Sequence, residues 1–251
     1  MDAHPPYLNA GNAGPFTLDG TRTYKIGTRD VVLLDPGPDV EDHVRALRTW
    51  VEGADRVRVL LTHGHGDHAA GAPRLAGELG VSVVGPAGVP EVDTPLEDGD
   101  EVVTDAGGLR AVDTPGHTRP HFCYHWRERG AVFVGDLLLG SGDTTWVAEY
   151  PGCVEDYLAS LAQVRALAPA VLYPAHGFPL EDVPAALDRY EAHRWARIRQ
   201  VADVLRSRPD ATLDHLLEVV YGQALPSAME GAARMSLGAL LEYVRAHPSR
   251  P

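Results

Sequence analysis

The densest chemistry in the chain lies in Thr62-His63-Gly64-His65-Gly66-Asp67-His68, three imidazoles and a carboxylate within six residues. Such donors suit zinc, with iron and manganese compatible with the same set. Four ligands crowd one ion, because a catalytic metal usually takes three protein ligands and keeps one position open. The cluster therefore predicts two adjacent metals, with further ligands arriving from elsewhere. A purely structural role is disfavoured, since a turn gains nothing from stacked imidazoles that repel one another once protonated.

The elements around this run explain how it is held. Val57 to Leu61 is apolar and β-branched, which predicts a buried strand that delivers the cluster where the chain turns from sheet to helix. Three later segments have the same form. Leu109 to Asp113 alternates like a strand and leads to Thr114-Pro115-Gly116-His117-Thr118. Ala131 to Val134 ends in Gly135-Asp136, and Val171 to Tyr173 ends in Pro174-Ala175-His176-Gly177. Each places one potential ligand on a tight Gly/Pro turn beyond a strand, where the backbone holds it rigidly.

His-x-His-x-Asp-His followed by His, Asp and His resembles the metallo-β-lactamase superfamily, over residues 16 to about 180. The resemblance implies an α/β fold, an αβ/βα four-layer sandwich with two mixed sheets face to face and the metals at one edge. It assigns His63, His65 and His117 to a first metal and Asp67, His68 and His176 to a second, with Asp136 bridging. A bridging aspartate resembles the glyoxalase II-like and nuclease-like branches more than true β-lactamases, so antibiotic hydrolysis is not the expected role. Two metals about 3.5–4 Å apart can share a hydroxide that attacks a carbonyl carbon or a phosphorus. Asp67 is the expected catalytic residue, orienting the nucleophile as well as binding metal. Cys123 and Cys153 carry no catalytic assignment.

Gly14 to Tyr24 resembles the opening of a subgroup that includes lactamase-beta-like endoribonucleases and fungal polyketide thioesterases. Members usually carry Asn where Arg22 stands and an apolar residue where Lys25 stands. Val31 to Leu34 predicts a further buried strand, ending in Asp35-Pro36-Gly37-Pro38, with an amphipathic helix from about Val40 to Val51. Asp35 resembles the family's strand-end aspartate near the site, although a hydrogen-bonding turn residue is the preferred reading. His121 resembles a family histidine that follows the ligand, and either contacts substrate, orients a ligand or serves the structure. The Gly-rich Leu139 to Thr145 precedes a helix from about Val154 to Leu167 and predicts one wall of the site. Thr145, Trp146 and Tyr150 are candidate substrate contacts there.

Residues 1–183 form the expected catalytic domain and 184–251 a small helical one. Helices are predicted over about Pro184 to Arg206, Leu213 to Tyr221 after a Thr212 cap, and Ser227 to Ala246. Three helices here resemble the winged-helix-like appendage of the endoribonuclease subgroup, with no hairpin sequence for a wing. Arg194, Arg197 and Arg199 either meet phosphate or form a solvated helix face, and the solvated face is the preferred reading. The helices either cover the mouth of the site or form a dimer contact, and a homodimer is common in the superfamily.

The formal charge of −13 bounds the partners. Residues 1–187 carry 13 Lys plus Arg against 27 Asp plus Glu, and residues 188–251 carry 9 against 8. No basic stripe offers the counterion release that drives nucleic-acid affinity. Two cysteines fit a reducing compartment. The first ten residues lack a signal-peptide pattern, and no stretch reaches a membrane-spanning length. A cytoplasmic enzyme acting on a small molecule follows. The expected activity is a dinuclear, zinc-dependent hydrolase of a small ester, thioester or lactone; the alternative is a metal-dependent endoribonuclease or phosphodiesterase on single-stranded RNA. A non-catalytic binding module is disfavoured by the complete seven-residue ligand set.

Overall fold

A computed structural model describes residues 4–222, 225 and 229–248. Six strands form one sheet in sequence order: β1 (Tyr7–Asn9), β2 (Arg22–Ile26), β3 (Asp30–Leu34), β4 (Arg56–Leu60), β5 (Val83–Pro86) and β6 (Thr94–Leu96). Five more form a second: β7 (Glu101–Thr104), β8 (Gly107–Asp113), β9 (Phe122–Trp126), β10 (Ala131–Gly135) and β11 (Val171–Pro174), side by side in that order. Helices α1 (Glu41–Trp50), α2 (Gly66–Ala69) and α3 (Ala72–Leu79) belong to the first half, and α4 (Cys153–Ala166), α5 (Val183–Ser207), α6 (Leu213–Tyr221) and α7 (Glu230–Ala246) to the second.

The strand alternation decides the layers, because successive side chains point to opposite faces of a sheet. In β3, Val31 and Leu33 pack with Val44 and Leu47 of α1 and Leu75 of α3. Val32 and Leu34 face the other way, into a core shared with Leu109, Tyr124 and Phe133 of the second sheet. The second sheet repeats the pattern in mirror image. Phe133 turns inward, while Val132 and Val134 turn outward to Tyr157 and Leu161 of α4 and Leu187, Tyr190 and Ile198 of α5. The result is helix, sheet, sheet, helix. Phe133 sits 5.2 Å from the Tyr24 ring and 5.3 Å from that of Tyr173, so aromatic contacts join the sheets.

Strand direction gathers the chemistry at one edge. β3 to β6 are parallel, β10 is parallel to β11, and β8 and β10 both run antiparallel to β9. The C-terminal ends of β3, β4, β8, β10 and β11 therefore open together. α5, α6 and α7 continue the outer helical layer, with Val201, Leu216, Leu237 and Leu240 in the same apolar cluster as α4. The expected helix boundaries differ from the observed ones by at most two residues, except that the expected start of the last helix at Ser227 lies outside the described residues.

The two residues that depart from the subgroup pattern both have local partners. Arg22 is buried, donates to Asp19 Oδ2 at 2.8 Å, and stacks between the rings of Tyr7 at 4.5 Å and Phe178 at 5.2 Å. Asp19 in turn accepts the Gly177 N–H at 2.9 Å, so the pair buttresses the turn that carries His176. Lys25 Nζ donates to the Trp50 carbonyl at 2.9 Å, and its cation thus meets the negative end of α1.

Candidate metal centre

Seven side chains from four strand ends converge. Nδ1 of His65 lies 3.0 Å from Nε2 of His117, and His63 offers a third ring nitrogen to the same point. Beside them, Asp67 Oδ2 lies 3.1 Å from His176 Nε2 and 3.6 Å from His68 Nε2. Asp136 stands between the groups: Oδ1 is 3.4 Å from His176 Nε2 and 3.5 Å from His68 Nε2, and Oδ2 is 3.7 Å from His117 Nε2. The side chains expected to bind metal are therefore all brought together.

The outer nitrogen of every ring has a partner. His63 Nδ1 meets the Thr62 hydroxyl at 2.9 Å, and His68 Nδ1 meets Asp35 Oδ2 at 3.1 Å. His117 Nδ1 faces the Trp146 carbonyl at 2.8 Å, and His176 Nδ1 the Gly20 carbonyl at 3.2 Å. His65 is the reverse case, with its Nε2 held 2.6 Å from Glu149 Oε1. An N–H donated outward leaves a bare lone pair facing in, the form in which imidazole binds metal.

Four of the inward atoms are left without partners. His63 Nε2, His68 Nε2, His176 Nε2 and Asp136 Oδ1 are buried and unbonded. Buried polar atoms are rarely orphaned in this way, since each costs about 1–3 kcal/mol. Four on one point make a site that a cation satisfies, and both the His/Asp composition and the three overlapping triplets (His63, His65, His117; His63, His68, Asp136; Asp67, His68, His176) fit divalent metal.

Local backbone features explain the convergence. Asp35 follows β3 with φ of 53°, a left-handed conformation that aspartate tolerates better than most residues. There Oδ1 accepts the Thr62 N–H and Oδ2 the Thr62 hydroxyl, both at 2.8 Å, leaving Oδ2 to reach His68 as well. The preferred turn reading of Asp35 is thereby corrected: it ties β3 to the His-rich turn and orients a ring of the cluster. Gly135 has φ of 50°, and a Cβ there would lie 2.8 Å from Thr62 Oγ1 and 2.9 Å from His121 Nε2. Only glycine lets the end of β10 pass close enough to present Asp136.

The charges are mutually dependent. Burial pushes His176 down, but the Asp136 and Asp67 carboxylates outweigh it and lift the ring to about 9. The same contest leaves His68 well above its ordinary value, and Asp136, penalised by burial, is held well below the usual carboxylate range by His68 and His176. Burial and neighbouring rings keep His63 well below 6.5, and burial brings His117 to about 4.

The site opens into a cavity of about 670 Å³. His65, Asp67, His117 and Asp136 lie at its base, and Thr145 and Trp146 form part of a wall, as the sequence suggested for the Gly-rich segment. Two expected contacts lie elsewhere. His121 is fully buried behind the cluster with Nδ1 on the Thr114 hydroxyl at 3.0 Å. The Tyr150 hydroxyl donates to Asp156 at 2.9 Å, and its ring lies under Arg119. Sequence reasoning missed Glu149, which no spacing distinguishes from an ordinary surface glutamate, and Phe16. It also read Arg194 as solvated, whereas that side chain is 3 % exposed and lines the cavity with Tyr221 and Met229. The helical appendage thus roofs the site.

This fold and ligand set define a class. The family model of the metallo-beta-lactamase superfamily matches residues 19–91 and 85–176. The chain is 32% identical over 234 residues to the "Beta-lactamase-like protein 2 homolog" of Caenorhabditis elegans, covering 88% of this chain and 77% of that protein. It is 33% identical over 232 residues to the "Atrochrysone carboxyl ACP thioesterase" of Aspergillus fumigatus, covering 84% of this chain and 53% of that one. A beta-lactamase domain protein from Burkholderia ambifaria shares the fold, with a TM-score of 0.84, 21% identity, and coverage of 96% and 86% of the two chains. The chain belongs to the metallo-β-lactamase superfamily and is a metal-dependent hydrolase.

Proposed function

We propose that the chain hydrolyses a small carbonyl substrate, a thioester, ester or lactone, at a centre that takes two divalent metals. The observation that carries the reading is Asp136, whose two carboxylate oxygens face opposite halves of the ligand cluster, Oδ1 toward His68 and His176 and Oδ2 toward His117. His63, His65 and His117 would hold one ion and Asp67, His68 and His176 the other, with Asp136 shared. When bound, such ions supply a water of near-neutral pKa and polarise the electrophilic oxygen of the substrate.

The remaining work falls to the chain. Asp67, partly exposed at the base of the cavity, is placed to orient the attacking water and accept its proton. Thr62, Asp35, Gly20, Trp146 and Glu149 hold the five rings in one tautomer each, so the ligand geometry is set before any ion or substrate arrives. Apolar walls from Phe16, Leu139 and Trp146 receive the acyl portion and displace water around it.

Three observations favour a carbonyl over a phosphodiester. The cavity is roofed by α6 and α7 rather than open along a strand-binding groove, the chain carries a net charge of −13, and one similar protein is named as a thioesterase. Zinc is the ion we assign, and a reducing, cytoplasmic setting accords with the free, buried Cys123 and Cys153. Among the described residues no helix is long and apolar enough to cross a membrane.

The test is a parallel assay of the metal-loaded protein on a thioester panel and on single-stranded RNA, with His65→Ala as the blank. Turnover of a thioester or lactone that vanishes in the blank is expected. Cleavage of RNA alone would overturn the reading.

A further inference from the structure

The cavity has a second polar end that the metal ligands do not explain. Arg194 on α5 is 3 % exposed, and its Nε has no partner. One terminal nitrogen donates to the Thr145 carbonyl at 3.2 Å, and the guanidinium lies 5.1 Å from the centre of the Tyr157 ring. No carboxylate pairs with it among the described residues. Arginine stays protonated in proteins, so this is a full buried charge held by one carbonyl and an aromatic face. Buried charges are ordinarily paired, because leaving water costs each several kcal/mol. Arg197, one turn on, lines the same cavity; it stacks over Tyr221 at 4.8 Å and bonds Gln200, and among the described residues no carboxylate pairs with it either. His193, which precedes Arg194 and lines the same cavity, is already matched, to Asp143 at 3.1 Å. Tyr221, Leu225 and Met229 close the space around the two guanidiniums.

We propose that Arg194, with Arg197 beside it, forms an anion-binding subsite at the α5–α7 end of the cavity, which takes a carboxylate or phosphate carried by the substrate away from its scissile bond. The subsite rests on the reading that this cavity receives a hydrolysable carbonyl compound, and it narrows that class to anionic substrates. A planar guanidinium with unsatisfied donors pairs with an oxyanion in two parallel hydrogen bonds, so it fixes orientation as well as charge. The acidic exterior then has a counterpart in the cavity: selection for an anion comes from a buried Arg194 and a partly exposed Arg197 on its lining rather than from the net charge of the surface.

The test uses the metal-loaded full chain and ω-carboxyacyl thioesters of N-acetylcysteamine of graded length, each paired with its methyl ester. The acid is expected to exceed its ester by about tenfold to a hundredfold in kcat/KM at the best length, carried by KM. Arg194→Met brings that ratio close to one, and Arg194→Lys restores part of it. Should Arg194→Met fail to fold, Arg197→Gln must lower the ratio by itself. Coenzyme A thioesters separate the two sources of anion: a preference for them over N-acetylcysteamine thioesters, lost in the same variants, assigns the ligand to a phosphate on the leaving group. Equal turnover of acids and esters, with no preference for coenzyme A, overturns the subsite. If no thioester is hydrolysed, the substrate reading fails and equilibrium binding decides the subsite alone. The tryptophan fluorescence of the metal-free protein, to which the cavity residue Trp146 contributes, is then titrated with adipate, inorganic phosphate and dimethyl adipate. A response to either anion but not the diester, lost in Arg197→Gln, supports it; equal responses overturn it.

Discussion

Glu149 Oε1 lies 2.6 Å from Nε2 of His65, on the side of the ring opposite His117. A partly exposed carboxylate thereby sets the tautomer of the one ring in the cluster that points its Nδ1 inward. Burial pushes Glu149 up less than its bond to His65 pulls it down, so it stays ionised at neutral pH.

Glu149→Gln should weaken metal binding by about tenfold to a hundredfold, the usual cost of losing such a partner. Chelator competition measures it, and the melting temperature of the metal-free protein should hardly move because the pair is partly exposed. Unchanged affinity would reduce the contact to an incidental surface pair.

Asp35→Asn should act together on stability and on the retention of any ion that His68 would hold. The amide cannot accept from the Thr62 N–H, the Thr62 hydroxyl and His68 at once, and its NH₂ faces donors. A loss of about 1–3 kcal/mol in denaturant unfolding follows, with weaker retention of the ion that His68 would hold. Loss of stability with metal content intact would leave Asp35 as a strut only.

Much of this was readable from residue order. His117, Asp136 and His176 each follow a short apolar run and a Gly/Pro turn, the His63 to His68 run follows another strand directly, and parallel strands bring such ends to one edge whatever the loops between them do. What was not readable depended on distance across the fold. Asp35 and His68 are 33 residues apart, and Glu149 and His65 are 84 apart. No local pattern links them. Arg194 was misread because an Arg-rich helix face resembles a solvated one until α6 and α7 close over it, and Tyr150 because its neighbour Trp146 does face the cavity while it turns to Asp156.

The metal-free protein should be most stable near neutral pH. His176, lifted to about 9 against 6.5 unfolded, contributes stability that is complete below about 6.5 and lost as pH rises through 9; His68 acts in the same sense. His117 and His121, lowered by burial to about 4 and about 3, have the opposite sign: the unfolded chain binds their protons first, so stability falls as pH drops below 6.5. Thermal melts of chelator-treated protein from pH 4 to 9 should trace a dome. A steady rise to pH 9 would contradict the charge pattern.

Tyr190→Phe should loosen the wall of the site without harming the core. The hydroxyl takes the Leu139 N–H at 3.0 Å and lies 3.0 Å from its carbonyl, and the variant costs about 1 kcal/mol. Limited proteolysis between Leu139 and Thr145 should accelerate while the remainder of the chain resists. Equal protection would mean that α5 does not brace this segment.

The central claim is that Asp136 serves both halves of the cluster, and counting ions tests it most directly. Plasma mass spectrometry after dialysis should find about two ions per wild-type chain. Asp136→Ala should lose metal and hydrolysis together. An Asp136→Ala protein that keeps full turnover would contradict the account.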